Sequence, residues 1–320
     1  MSEAETGAGA ALVAEGVSKR YGDTVALDGV SLSIPAGEVF GLVGPNGAGK
    51  TTLVRALTGT TRCEGSIGVL GAAPNAVDAQ RVGLLPQSFN PADRLTAREL
   101  IAYYAGLYDE ARPVAAVLED VGLADDADTW YENLSGGQRR RACVGTALVN
   151  DPDVLFLDEP TTGIDPAGRR ALWGLVDDLA AGGTTVLLTS HSMAEVERLA
   201  DRVGLLRDGS LVAVGSPAEL IAAHGGDSRL LVDGADVDPA AVAAALDAEV
   251  GERDGRLVVR NVSLAQVGEL VADLEAAGVD FDSFTWAEPS LEDVYLRLTG
   301  ETMADVDAGE TVDAEVEAGR

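Results

Sequence analysis

The sequence predicts an α/β fold over roughly residues 11–226 and a small α+β domain over 227–300. Three observations carry this reading. Apolar strand-like runs alternate with helical stretches through the first part of the chain. One of those runs, Glu38-Val39-Phe40-Gly41-Leu42-Val43, feeds a glycine-rich loop that opens into a helix at Leu53-Val54-Arg55-Ala56-Leu57. From about residue 227, shorter strands (229–232, 256–259, 281–286) alternate with Ala-rich helices (239–250, 264–277), and an amphipathic helix over 290–298 closes the pattern.

The loop is Gly44-Pro45-Asn46-Gly47-Ala48-Gly49-Lys50-Thr51-Thr52. It fits the phosphate-loop pattern G-x-x-x-x-G-K-[ST], in the strand–loop–helix context that the pattern needs. Glycines let successive N–H groups turn inward toward an anion. The helix behind adds unpaired N–H groups and the positive end of its dipole. Lys50 supplies a point charge for β- and γ-phosphates, and the Thr51 hydroxyl is placed to ligate Mg²⁺.

Charge and composition narrow the classes. Across 320 residues, 53 acids face 23 bases, for a net charge of −30, and Lys19 and Lys50 are the only lysines. The acids are spread along the chain. Two readings follow: an acidic surface for a partner, or adaptation of the whole surface to high salt, where the Debye length falls to about 3 Å at 1 M and self-repulsion is screened. The composition resembles that of halophilic archaeal proteins. Either way it argues against a nucleic-acid partner, which such a surface repels. Cys63 and Cys143 lack metal-site spacing and read as reduced thiols. No run approaches the ~18 apolar residues of a spanning helix. Residues 1–10 are small and acidic, unlike a secretory signal, and are expected to be disordered.

Along the chain, residues 11–17 read as the first strand and 18–22 as a loop holding Tyr21. That aromatic stacks on a base or packs half-buried; residue type alone leaves both open. Strands follow at 31–34, at 65–70 and at 81–87, the last ending on Gln87. Residues 88–150 read as a mostly helical segment, with Thr96 and Glu99 at capping-box spacing. Leu134-Ser135-Gly136-Gly137-Gln138 opens a helix over 139–148. Backbone N–H groups at a helix start make a second anion site, which has meaning only if it meets another phosphate. Val154-Leu155-Phe156-Leu157-Asp158-Glu159 is an apolar strand ending in two carboxylates. Such acids are costly unless they face a cation or water at the strand's C-terminal end, where α/β sheets bind ligands. Ser190-His191 ends the strand at 184–189 in the same topological position. After Gly300 come seven acids, one arginine and no aromatic, so 301–320 is expected to be a disordered acidic tail.

Taken in order, these stretches resemble the ATP-binding cassette (ABC) ATPases over about residues 11–225. Walker A is Gly44–Thr51, the Q-loop Gln87, the signature Leu134–Gln138 and Walker B Val154–Glu159. Thr162-Gly163-Ile164-Asp165-Pro166 looks like the D-loop, His191 the switch histidine and Tyr21 the adenine-stacking aromatic. The resemblance implies a P-loop NTPase cassette with a mixed sheet core and a helical subdomain at about 88–150. Beyond 227 the chain looks like the extension of cassettes serving type-2 exporters, most clearly at Glu288-Pro289-Ser290-Leu291-Glu292-Asp293-Val294-Tyr295.

The resemblance further implies ATP and Mg²⁺ as ligands and a head-to-tail dimer with a second cassette, of identical or different chains. Each ATP would lie between one chain's Gly44–Thr52 and the partner's Ser135, Gly136 and Gly137. Thr51, Gln87 and Asp158 would hold the metal directly or through water. Glu159 would act on the attacking water, His191 on the γ-phosphate, and Asp165 across the dimer. The expected setting is peripheral, at the cytoplasmic face of the cell membrane, driving export through separate transmembrane permease subunits. The rival readings are an importer ATPase and a non-transport cassette.

Overall fold

The structure, a computed structural model, describes residues 9–234, 239–246, 248–253 and 255–301. The segments expected to be disordered, 1–10 and 301–320, lie outside the described residues except at 9, 10 and 301. The chain divides into two compact units, the first ending at Pro217 and the second spanning Ala218–Glu301.

In chain order the first unit contains β1 (Ala10–Tyr21), β2 (Thr24–Pro35), β3 (Val39–Val43), α1 (Lys50–Leu57), β4 (Glu64–Val69) and β5 (Val82–Leu85). Next come α2 (Ala97–Ala105), α3 (Val114–Asp120), α4 (Gly136–Thr146), β6 (Val154–Asp158) and α5 (Pro166–Ala181). β7 (Thr185–Ser190), α6 (Met193–Leu199), β8 (Arg202–Arg207) and β9 (Ser210–Gly215) complete it.

Its main sheet has the order β5-β6-β7-β3-β8-β9. All pairs are parallel except β8 with β9. Every residue of β3, β6 and β7 is buried, as expected of parallel strands covered on both faces. A second sheet, β2-β1-β4, is antiparallel. Its inward residues Leu12, Leu27 and Ile34 share one core with Phe40, Leu57 and Phe156. The sheet architecture is thus mixed.

The order of the main sheet explains why distant sequence segments meet. β5, β6, β7 and β3 lie side by side and run the same way. Whatever follows their C-terminal ends is therefore gathered along one edge, the usual ligand position in α/β sheets. Those followers are Gln87, Glu159, His191 and the glycine-rich loop.

The helical segment starts as its residues suggest. Thr96 caps α2, with the Thr96–Glu99 capping box formed in both directions. Ser135 caps α4 in the same manner, with Gln138 as its partner. Helix α4 therefore begins at Gly136, inside the signature, three residues earlier than the sequence suggests. Tyr21 is also placed differently from the loop expected at 18–22. β1 continues through Tyr21, which pairs with Thr24 across a tight turn. Gly22 in that turn has a φ of 57°, a left-handed value open to glycine at little cost.

Where the second unit begins, a short helix (α7, Pro217–Leu220) runs into a π-turn over Ile221–Gly225. β10 (Arg229–Asp233), α8 (Pro239–Leu246), β11 (Val250–Arg253), β12 (Arg256–Arg260), α9 (Val267–Ala276), β13 (Ser283–Ala287) and α10 (Leu291–Thr299) follow. The four strands form an antiparallel sheet of order β11-β12-β10-β13. Leu230, Val232, Val259 and Leu274 form the centre of its core. The Trp286 indole donates to the carbonyl of Val262 at 2.7 Å. α10 packs on the π-turn and buries Tyr295 completely.

Candidate functional site

The loop after β3 closes tightly under α1. Gly49, the N-cap of α1, has a φ of 105°, and a Cβ there would come within 2.3 Å of the Ala26 carbonyl. No other residue type fits both restrictions. Asn46 through Thr52, Gln87 and Glu159 line a cleft of about 270 Å³ over this loop. Gly44 and Pro45 enter the site through their carbonyls. The Lys50 ammonium, 5% exposed, donates to them at 2.6 and 2.8 Å. The loop thus aims its lysine along its own concave side.

Three further strand ends supply the rest. Glu159 follows β6 and is 6% exposed. Its carboxylate stands 3.7 Å from Lys50 Nζ and 3.6 Å from His191 Nδ1. It accepts from Gln87 Nε2 at 3.3 Å and from the Thr162 hydroxyl at 3.2 Å. The Thr51 hydroxyl donates to Gln87 Oε1 at 3.5 Å. Asp158, 1% exposed, accepts from the Thr189 hydroxyl at 2.6 Å, and that hydroxyl accepts the backbone N–H of Glu159 at 3.0 Å. Lys50, Thr51, Gln87, Glu159 and His191, drawn from the ends of four parallel strands, therefore converge on one point.

The donor set suits a hard cation. Thr51 offers a hydroxyl, Gln87 an amide oxygen and Asp158 a carboxylate, the oxygen ligands that Mg²⁺ takes alongside phosphates and water. Among the described residues no group of three or more His, Cys, Asp or Glu side chains could hold a metal unaided.

Asp158 and His191 flank Glu159 without lining the cleft, and Tyr21 and the signature residues also lie outside the lining. Tyr21 is 46% exposed at the tip of the β1–β2 hairpin, with the Lys19 ammonium 4.9 Å from its ring centroid. A hydrogen bond with Thr61 at 3.5 Å chiefly holds its phenol below the ordinary value, with Lys19's charge adding to it. Ser135 and Gly136 are exposed. A Cβ on Gly136 would lie 3.2 Å from the Gly163 carbonyl, and one on Gly137 3.4 Å from Ile164 Cγ2. The signature therefore rests on the segment ending at Asp165, whose carboxylate caps α5 by accepting from Gly168 N at 2.6 Å.

Sequence reasoning missed several residues of this centre. Glu195 on α6 is 1% exposed and accepts from Thr161 at 2.9 Å, Trp173 Nε1 at 3.1 Å and Ser190 at 2.6 Å. It joins the segment after β6 to the strand end carrying His191. The available signal was its position three residues after Ser192, which caps α6, though nothing local distinguishes a buried cap carboxylate from a solvated one. Thr189 and Arg140 are likewise invisible from sequence, and Thr162, read there only as part of the D-loop, turns out to donate to Glu159.

Residues 27–162 match the ABC transporter family. Over 304 residues, 91% of this chain and 96% of the relative, the chain is 38% identical to the daunorubicin resistance ATP-binding protein DrrA3 of Streptomyces coeruleorubidus. It is 41% identical to the Nod factor export ATP-binding protein I of Burkholderia pseudomallei over 299 residues, 90% of this chain and 97% of that one. Among solved structures, an ABC transporter cassette in its ADP conformation, MJ1267, superposes with a TM-score of 0.57 at 28% identity. It covers 66% of this chain and 92% of that one. With a phosphate loop facing a carboxylate and a glutamine across one cleft, and a histidine beside that carboxylate, the chain belongs to the ATP-binding proteins of ABC transporters and is an ATPase of that family.

Proposed function

We propose that this chain hydrolyses ATP at the cytoplasmic face of a membrane to drive export through separate transmembrane subunits. The observation that carries the hydrolytic part is Glu159, held between Lys50 and His191 at the open edge of the sheet. The export part is supported by similarity to resistance and export proteins that runs over nine-tenths of the chain. Among the described residues no helix is long and apolar enough to cross a membrane.

In this reading Lys50 and the loop amides bind the β- and γ-phosphates. Thr51, Gln87 and Asp158 would hold Mg²⁺, which when bound neutralises charge on the phosphate chain. Glu159 orients the attacking water and accepts its proton, while His191 contacts the γ-phosphate. Catalysis is mostly positioning and charge neutralisation, as phosphoryl transfer requires. Ser135, Gly136 and Gly137 serve the nucleotide of a second cassette in a head-to-tail dimer, since in this chain they rest against 163–165 rather than on the loop. Asp165 sits beside them for communication across that dimer.

The docking surface for the membrane subunit lies around α2. Tyr103 and Leu107 are 61% and 62% exposed. Tyr104 bridges by edge-on ring contacts from Tyr103 to Phe89, two residues after Gln87. A stroke sensed by Gln87 at the phosphate end has a short path to that apolar surface. The chain, tagged in its host and solubilised gently at high KCl, should co-purify with a multi-span membrane protein. Replacing Tyr103 and Leu107 by serine should release that protein and leave ATP binding intact. Recovery of soluble ribosome or DNA complexes instead would overturn the transport reading.

Tyr21 contributes binding without chemistry. With Lys19 over one face of the ring, adenine stacks on the other. Base–aromatic stacking is worth about 1–3 kcal/mol, so Tyr21→Ala should raise the KM for ATP roughly 5- to 150-fold and leave kcat within about twofold. Steady-state kinetics with ATP decides it; an unchanged KM would remove Tyr21 from the site.

A further inference from the structure

Three consecutive arginines stand in the first turns of α4, and each ends on backbone carbonyls in a different direction. Arg139 turns back on its own loop, donating to Leu134 at 2.9 Å and Glu132 at 2.6 Å. Arg141 reaches the end of α3, where Nη1 donates to Val121 at 2.8 Å and Gly122 at 2.7 Å. Arg140 alone leaves the helical segment. Its Nε donates to the Pro160 carbonyl at 3.0 Å, and its Nη2 to those of Asp158 and Glu159, both at 2.8 Å. One guanidinium thus gathers three successive carbonyls where the chain leaves β6.

That stretch needs external support. Glu159 has a φ of 49°, a left-handed conformation that is strained for a non-glycine residue and persists only where surroundings over-determine it. Pro160, next in line, has no N–H to contribute to a turn of its own. The Glu159 carbonyl accepts one weak turn bond of its own, from Thr162 N at 3.4 Å. The stronger restraints are the Thr189 hydroxyl on the Glu159 N–H at 3.0 Å and the Arg140 fork on the carbonyls. Burial holds the Arg140 guanidinium below its ordinary pKa, so the group is desolvated for these bonds. Charge-assisted hydrogen bonds offset such a cost better than neutral ones.

We propose that Arg140 is a positioning residue that fixes the backbone turn carrying Glu159 and ties the aim of that carboxylate to the start of α4. The inference rests on the roles proposed above for Glu159 and for the signature. In the head-to-tail dimer, the start of α4 faces one nucleotide and Glu159 of the same chain faces the other. Arg140 then joins the two sites within a single chain: engagement of phosphate at Ser135–Gly137 bears on hydrolysis at Glu159 through one side chain.

The test is a double-mutant comparison on the full chain, reading ATPase rate, nucleotide Kd and thermal melting. Arg140→Ala should lower kcat roughly 10- to 100-fold and change Kd less than about threefold. Arg140→Lys, which keeps the charge but loses the fork, should fall between the two. Millimolar guanidinium should restore part of the Arg140→Ala loss, a rescue that general destabilisation would not show. In a Glu159→Gln background, adding Arg140→Ala should cost less than about twofold, because its effect passes through the missing carboxylate. Wild-type turnover in Arg140→Ala, or an equal loss in both backgrounds, overturns the proposal. Should Arg140→Ala fail to fold by circular dichroism, Arg140→Lys carries the same comparison. Wild-type turnover in Glu159→Gln alone would instead overturn the parent reading of the site, and this inference with it.

Discussion

Replacing Glu159 with glutamine is expected to lower ATP hydrolysis at least ~10²-fold while nucleotide binding persists. The side chain keeps its shape, so the contacts from Gln87 and Thr162 can re-form around an amide. What is lost is the ability to accept a proton and the negative charge facing Lys50 and His191. Nothing in that loss weakens the loop amides or the Lys50 ammonium. Binding therefore survives and chemistry stops, and an ATP-bound dimer accumulates. Size-exclusion chromatography with ATP, beside single-turnover hydrolysis, reads both halves. Near-normal turnover would end the assignment of Glu159 as the group acting on water.

The placement of that carboxylate shows what sequence carries and what it does not. β3, β6 and β7 are legible because strands covered on both faces must be apolar throughout, and a run such as Val154–Asp158 has no solvent side to write a polar residue into. The phosphate loop is legible because its chemistry needs glycine and lysine at fixed spacing. β9 is less legible because it lies at a sheet edge, where exposure alternates and the apolar signal weakens. β11 was absorbed into the helix read over 239–250, which in fact ends at Leu246. Val250–Arg253 is four residues long with a glycine inside, and it is a strand only because β12 pairs with it. Tertiary pairing decided there, and local preference did not.

The same division runs through the site. Gln87, Glu159 and His191 stood out because polar residues capped apolar strands. Arg140 and Glu195 did not, because an arginine near a helix start and an acid in a helix's first turn are ordinary solvated choices. Their inward direction is a property of the packed chain. The convergence itself was legible only through resemblance; the parallel order β5-β6-β7-β3 is what physically produces it.

Replacing Lys50 with alanine is expected to abolish ATP binding at concentrations that saturate the wild type. Hydrogen bonds to charged groups contribute about 1.5–3 kcal/mol each, so losing two phosphate contacts costs on the order of 10²- to 10⁴-fold in Kd. A second effect adds to the first. Lys50 and Glu159 face each other at 3.7 Å with both side chains buried. Without the ammonium, an incoming phosphate chain meets the Glu159 carboxylate with its nearest lysine gone, and like charges at that depth are poorly screened. The two effects separate in the double variant. If repulsion contributes, Lys50→Ala/Glu159→Gln binds ATP more tightly than Lys50→Ala alone, by roughly 3- to 10-fold, and remains weaker than Glu159→Gln. Isothermal titration with ATP and Mg²⁺ measures all four corners. Equal Kd values for Lys50→Ala and the double variant would mean that Lys50 acts on phosphate alone. An unchanged affinity in Lys50→Ala would remove it from the phosphate site altogether.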